Sequence, residues 1–271
     1  TLKLLLYIYD NYIPKKDEEK KDLLSELVRQ DVENGDSAKR LADYLSLSEN
    51  TEDTKIANKY YRSALRRYAK NKNYSMVEQL WKKISATIDD PNFFLNISEI
   101  LAESNLDLAV NLLTNLLEVL EKQDELEEAI FVSKKILALD EFNLKIRQKL
   151  LDLYRFKYAS NPQLEECLKG AGFFDNDTKL ENAVKKFEKE ILFTEGSYVH
   201  HRSWDIGKIT SITDGEFLID FDDKKEHKMS YAMALKSLTP LAADHIWVLK
   251  KKEILQKEKE ELDAKAYQVA L

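Results

Sequence analysis

The feature that most constrains the fold is a change in hydrophobic period at Gly196. Before this residue, apolar side chains recur at helical spacing. After it they alternate, so that Phe217, Ile219 and Phe221 fall on one side of an extended strand. The window from Gly196 to residue 240 also holds three of the six glycines and three of the four histidines. The switch therefore predicts a mainly α chain that ends in a small β module.

The long segment before the switch reads as paired helices. The predicted helices span residues 56–70, 74–88, 92–103, 106–121, 125–139 and 143–158. Every second helix begins about 34 residues further on, which is the period of a helix–turn–helix solenoid. Stacking follows because each pair exposes an apolar stripe that only a neighbouring pair covers. Residues 125–140 resemble the second helix of a tetratricopeptide repeat (TPR), so we predict a TPR-like solenoid over residues 1–195.

Short strands fill the window after the switch. We predict strands at residues 197–202, 207–213, 216–222 and 227–231, with Asp214 and Gly215 in a tight turn and a turn or short helix at 233–237. Four short strands within residues 196–241 predict a small SH3-like or Tudor-like β-barrel. Residues 242–271 form a charged C-terminal helix. Because the chain begins without Met and ends within this helical pattern, we expect a longer protein with a further domain.

Charge and cysteine content exclude several classes of protein. The net charge is −7, and none of the regions 1–195, 196–249 and 250–271 is a basic patch, so nucleic acid is expected to bind only weakly or indirectly. The single cysteine, Cys167, excludes an internal disulfide and fits a reducing cytoplasm. No apolar run approaches the length of a membrane span. We therefore predict a cytoplasmic protein without a membrane partner.

Catalytic, cofactor and metal motifs are missing from the sequence. It has no Gly-rich phosphate loop, nucleophile elbow or His-Glu-x-x-His segment, which predicts a non-enzyme without a cofactor or small-molecule substrate. His200, His201, His227 and His245 suggest a metal site, but their spacing matches no zinc motif. Adjacent histidines on a strand also point to opposite faces. We therefore predict no metal.

The β module offers candidate partner-binding side chains. Aromatic residues and arginine dominate interface energetics, so Trp204 belongs either to a binding surface or to a cap on the open end of the module. An exposed edge strand is a second route to binding, through main-chain pairing. An aromatic cage for methylated ligands is disfavoured because Phe221 fits the core better. The predicted partner-binding residues are Tyr198, His200, Arg202, Trp204, Lys208 and His227.

The opening of the module resembles a known docking domain. Its pattern is Gly196-x-x-Val199-x-His201-x-x-Trp204-x-x-Gly207-x-Ile209. This resembles the RNA-polymerase-interacting module of CarD and of the transcription-repair coupling factor. Those modules are small barrels that grip the polymerase β subunit by adding strand to strand. That family typically has Gly where this chain has Asp205.

The order of the whole chain carries a second resemblance. A helical-repeat arm, this β module and the run Leu238-x-Pro240-Leu241-Ala242-x-Asp244-His245 are similar to the extended N-terminal region of GreA-type transcript cleavage factors of spirochaetes and chlamydiae. No segment matches the coiled coil that holds the acidic residues of that family. The resemblance implies a non-catalytic accessory region of a transcription elongation factor that binds RNA polymerase. The alternative is a TPR-like scaffold that binds peptide segments.

Overall fold

The computed structural model describes residues 4–5, 7–8, 17–86, 90–175, 178–213, 215–242 and 244–269. Asp214 of the predicted turn, and residues 87 and 88 of the predicted helix 74–88, lie outside them. The chain divides into two compact units, Thr1–Lys157 and Tyr158–Leu271. The domain boundaries predicted at residues 195 and 241 stay predictions. Among the described residues, no helix combines the length and the apolar character needed to cross a bilayer.

The first unit is built from helices. They are α1 (Asp17–Gln30), α2 (Gly35–Leu45), α3 (Thr51–Lys70), α4 (Tyr74–Ser85), α5 (Pro91–Ala102), α6 (Leu106–Lys122), α7 (Leu126–Leu139) and α8 (Leu144–Lys157). Five of these helices begin after an Asn or Asp whose side chain accepts a hydrogen bond from a first-turn N–H, which fixes the start of the helix. Five of the six predicted helices begin within one residue of the observed ones, and α3 begins five residues before its predicted start.

Helices of the first unit stack on one another. Helix α3 packs on α2 and α4, and α6 packs on α5, α7 on α6 and α8 on α7. Contacts also join α3 to α5, α4 to α6 and α5 to α7, the next-but-one pairing of stacked helix pairs. Trp81 and Phe94 anchor the interior, with both side chains buried and ring centroids 4.9 Å apart at 74°. A mostly helical chain is confirmed, while the TPR register stays a prediction.

The second unit begins with a helical pair, α9 (Leu164–Ala171) and α10 (Leu180–Glu190). Helix α9 ends at Gly172, whose φ of +91° is the left-handed conformation that closes a helix. The Phe187 ring lies 5.8 Å from Phe173 and 5.9 Å from Tyr158, which holds the pair together. Cys167 lies buried in α9.

A five-stranded antiparallel sheet follows. The remaining elements are β1 (Tyr198–His201), β2 (Asp205–Thr213), β3 (Glu216–Asp220), β4 (His227–Ser230), α11 (Tyr231–Ser237), β5 (Leu238–Leu241) and α12 (Ile246–Val269). The strand order is β4-β3-β2-β1-β5. Within the described residues β4 and β5 are therefore edges, and the sheet is open rather than the predicted SH3-like or Tudor-like barrel. Helix α11 confirms the short helix, and β5 occupies residues 238–241, where no strand was predicted.

One face of the sheet carries the core of the module. Its fully buried side chains include Val199, Ile209, Phe217 and Ile219, which alternate along the strands as the sequence predicted. Phe193, which follows α10, joins this core and lies 5.9 Å from Phe217. Met229, Ala234 and Leu238 complete the same cluster. The helical pair and the sheet thus share apolar packing inside one compact unit.

Candidate partner-binding surface

The Gly196–Ile209 pattern has a packing reason at most of its positions. Gly196 has φ +84°, and Val199 and Ile209 are fully buried in the core. A Cβ on Gly207 would lie 2.6 Å from Cε1 of Phe221, closer than real contacts allow. The pattern therefore fixes the scaffold that holds Trp204.

Asp205 lies where the resembled family has glycine. Its φ is +58°, in the left-handed region that glycine prefers and that aspartate tolerates better than most residues. Asp205 Oδ1 lies 3.7 Å from Nε2 of His200. The β1–β2 turn thus adopts a conformation suited to glycine although the residue differs.

Aromatic and basic side chains meet at one end of the core. The Trp204 ring stacks on His201 at 4.1 Å, meets His227 edge-on at 4.3 Å and lies 5.5 Å from the buried Phe221. Lys224 places its Nζ 5.4 Å from the Trp204 ring centroid. We call these five residues the Trp204 cluster. Because Trp204 is half-buried against the core, it both caps the module and presents part of its ring at the surface.

A hydrogen bond and the neighbouring charges act on the two histidines of the Trp204 cluster. His201 Nδ1 accepts a hydrogen bond of 3.1 Å from the Ser203 N–H. Burial lowers the pKa of His227, and the electrostatic interactions with Lys224 and with the neighbouring His201 lower it further. His227 is therefore held neutral at neutral pH, and Lys224 supplies the positive charge.

Three of the predicted binding residues lie on the opposite face of the sheet. Tyr198 pairs directly with Lys208, and His200 lies two residues along the same strand, so all three share that face. Helix α12 crosses it. Trp247 approaches His200 at 5.3 Å, and Lys252 lies 5.8 Å from the Tyr198 ring centroid.

Strand alternation divides the predicted set of binding residues. Trp204 and His227 lie in the Trp204 cluster, whereas Tyr198, His200 and Lys208 lie on the other face, where Tyr198 is only 8% exposed. Arg202 is exposed in the β1–β2 turn. His200 and His201 face opposite sides, as predicted for adjacent strand residues.

Sequence reasoning missed Lys224 as a member of the cluster. It lies in the turn predicted after β3, and its carbonyl accepts a hydrogen bond from Phe221 N–H at 3.0 Å. This turn folds Lys224 back over Trp204, about twenty residues away in sequence. No local pattern in the sequence signals such a contact.

The two edges of the sheet differ. Strand β5 contains Pro240, which has no N–H and blunts an edge against further pairing. Strand β4 contains no proline and pairs only with β3 among the described strands. His227, its first residue, belongs to the Trp204 cluster. The unpaired side of an edge strand and an aromatic surface are thus continuous.

Metal ligation finds no geometric support in the described part of the chain. No group of three His, Cys, Asp or Glu side chains is placed there to hold an ion. The surface is suited to binding a polypeptide through strand pairing, an aromatic ring and positive charge.

Sequence comparison links the chain to two longer proteins. It is 33% identical over 234 residues to a protein named GreA-associated domains protein from Treponema pallidum (strain Nichols), covering 84% of this chain and 35% of that protein. It is 27% identical over 243 residues to a protein named transcription elongation factor GreA from Borreliella burgdorferi, covering 88% of this chain and 26% of that protein. The chain spans about a third and about a quarter of their lengths. These relatives support a GreA-related family and do not bear on the CarD-like or Tudor-like character of the module.

Other comparisons add little. No protein-family model matches the chain. A MamA RS-1 ArsTM double mutant is similar with 17% identity and a TM-score of 0.28, over 69% of this chain and 92% of that one. A crystal structure of MamA gives 14% identity and a TM-score of 0.26, over 65% and 90%. Likenesses at this level do not establish a shared fold.

Proposed function

We propose that the chain is a non-catalytic accessory region of a transcription elongation factor and that it docks on RNA polymerase through its β module. The relationship to GreA-named proteins supports the transcriptional role. The observation that carries the docking surface is the Trp204 cluster beside the edge strand β4, one side of which is unpaired among the described strands. The proposed location is the cytoplasm, where the polymerase acts.

Docking is expected to combine two kinds of contact. A strand of the partner pairs with the main chain of β4, which gives affinity with little dependence on side chains. Trp204 and the neighbouring charges of Lys224 and Arg202 then select the partner, because a central aromatic ring and arginine contribute most to such interfaces. The resemblance to CarD-type modules makes the polymerase β subunit the proposed contact.

Binding of the chain to purified core RNA polymerase from its own organism tests this proposal. By biolayer interferometry at about 150 mM salt, we expect Trp204→Ala and Lys224→Glu each to weaken binding about tenfold. Trp247→Ala is the matched control, since Trp247 is also a part-exposed tryptophan, 45% exposed, but lies on the opposite face. It should change the Kd by less than about twofold.

Hydrogen exchange examines the edge directly. Amides of His227–Ser230 should become protected when polymerase is added, and those of Leu238–Leu241 should not change. Absence of binding at micromolar concentration by a folded chain would refute the proposal. If Trp204→Ala and Trp247→Ala weakened polymerase binding equally, the contact would include the face that carries Trp247.

A further inference from the structure

A basic groove lies in the first unit, far in sequence from the β module. It has a volume of about 730 Å³, and five of its lining residues are Lys or Arg. They are Lys59, Arg62, Arg66, Arg67 and Lys70. All five belong to α3, where spacings of three, four and eight residues place side chains on one helical face. This concentration is notable because the chain as a whole carries a charge of −7.

Two of the arginines are anchored by the protein itself. Arg67 donates from Nη1 to the carbonyl oxygens of Asp31 and Asn34, each at 3.0 Å. Arg62 lies 3.6 Å from the carboxylate of Asp90, which also caps α5 by accepting from the Phe93 N–H. These contacts make the wall of the groove a fixed structure.

Three further cations remain available to a ligand. Lys59, Arg66 and Lys70 are exposed, and no described carboxylate forms an ion pair with any of them. Arg66 extends over the ring of Phe93, 5.9 Å from its centroid, which restricts where the guanidinium lies. Among the described residues that line the groove, two are carboxylates, Glu33 and Asp90. The uncompensated charge is therefore positive.

An apolar side chain borders the same groove. Val32, in the α1–α2 connection, is 63% exposed. A ligand that fits both features carries negative charges and at least one apolar group. We propose that this groove binds an acidic peptide segment, with its carboxylates on Lys59, Arg66 and Lys70 and an aliphatic side chain against Val32.

A peptide suits the groove better than a nucleic acid does. From Lys59 to Lys70, helix α3 rises about 17 Å, which limits the run of phosphates that it can contact. A longer polyanion would extend beyond the groove into the field of a chain with net charge −7, which repels it. A short acidic peptide meets only the basic wall.

The inference deepens the peptide-scaffold alternative by giving it a site and a ligand class. It does not depend on polymerase docking, because the groove and the Trp204 cluster share no residue. The charge of the whole region 1–195 conceals this basic stretch, although residues 55–72 hold seven Lys or Arg and no Asp or Glu.

The test is fluorescence anisotropy of the full chain with a labelled peptide. The peptide has about twelve residues, long enough to span the groove, with Glu at alternate positions and one central Leu. Arg66→Glu with Lys70→Glu should weaken binding about tenfold or more at about 50 mM salt, where screening is small. The matched control is Lys82→Glu with Lys122→Glu, two exposed last-turn lysines of other helices, which changes the net charge equally. The Kd of this control variant for the peptide should stay within about twofold of that of the unaltered chain.

Two probes separate the parts of the proposal. Replacing every Glu of the peptide by Gln should abolish binding. Val32→Ser should reduce affinity about threefold for the Leu-containing peptide and leave a Leu-to-Ser peptide unchanged. Circular dichroism checks that each variant remains helical.

Several outcomes would overturn the inference. The first is no binding by the unaltered chain at millimolar peptide. The second is an equal loss of peptide affinity in both double variants. The third is tighter binding of a single-stranded oligonucleotide than of the peptide, if the groove variant abolishes it. Polymerase binding by the groove variant should equal that of the unaltered chain. Trp204→Ala should likewise leave peptide binding unchanged, so failure of one proposal leaves the other intact.

Discussion

For single residues of the β module, the sequence predicted burial better than it predicted close contacts between distant residues. Phe221 was predicted in the core from strand alternation, and it is fully buried. Trp204 had two possible roles. Its ring packs half-buried against the core, and its role in binding stays a prediction. Gly207 appeared only as part of a pattern. Its reason, the close approach of Phe221 and Ile219, depends on residues that follow it by twelve or more positions.

Gly207→Ala is expected to destabilise the second unit by about 1–3 kcal/mol, because the added methyl group overpacks a filled core. Urea unfolding monitored by circular dichroism measures the change. Gly170→Ala is the control, since its Cβ would approach only Oε2 of Glu190, at 3.8 Å, and alanine favours helix. Equal stabilities for Gly207→Ala and the unaltered chain would contradict this account of the glycine.

At the scale of elements, helix positions were predictable and sheet closure was not. Asn and Asp caps and helical periodicity fixed the helices. Strand β5 was missed because Pro240 suggests a turn, although proline is compatible with an edge strand. Whether strands close into a barrel depends on pairing between the first and last of them, which alternation within each strand does not encode.

A buried carboxylate at the junction of three elements was also invisible in the sequence. Glu190 of α10 is 3% exposed, and its Oε1 has no hydrogen-bond partner in the structure; the nearest ammonium, that of Lys186, is 3.8 Å away. With Tyr231 of α11 and Cys167 of α9 it lines a cavity of about 320 Å³. Burial raises the pKa of Glu190, against the opposing charge of Lys186. Burial also raises the pKa of Cys167 to about 11, which makes its thiol unreactive.

Glu190→Gln should therefore stabilise the protein by about 1 kcal/mol at pH 8 and have little effect near pH 4. A carboxyl whose pKa is raised by folding contributes stability that is present below its unfolded pKa and is lost as pH rises through the folded value. Urea unfolding of both proteins across this pH range measures the effect. A loss of stability that is the same at every pH would instead mean that the carboxylate has a purely structural role.

For the whole molecule, the change of period at Gly196 and the division into compact units fall at different places. The change of hydrophobic period marks where the backbone passes from helix to strand, whereas a compact unit is defined by residues that pack together. Phe193 contributes to the sheet core although it precedes the switch, and Glu190 packs beside Tyr231. A sequence pattern reports local geometry and does not report which neighbouring elements complete a core.

A fragment of residues 158–271 should unfold cooperatively in urea, whereas residues 196–271 should not. The shorter fragment lacks Phe193, and loss of a buried phenylalanine costs about 3–5 kcal/mol, much of the stability of a small domain. Near-ultraviolet circular dichroism of Trp204 reports whether the packing forms. A well-folded 196–271 fragment would instead support the boundary predicted at residue 195.

If β4 takes up a partner strand as proposed, the unequal edges of the sheet limit the number of strands that are added. Head-to-tail growth of a β ribbon requires each unit to accept a strand on one side and to offer one on the other. Pro240 interrupts main-chain pairing at the β5 edge, so only the β4 edge is suited to accept a strand. The module should thus take up a single partner strand without seeding fibres, even when the concentration of the chain is high.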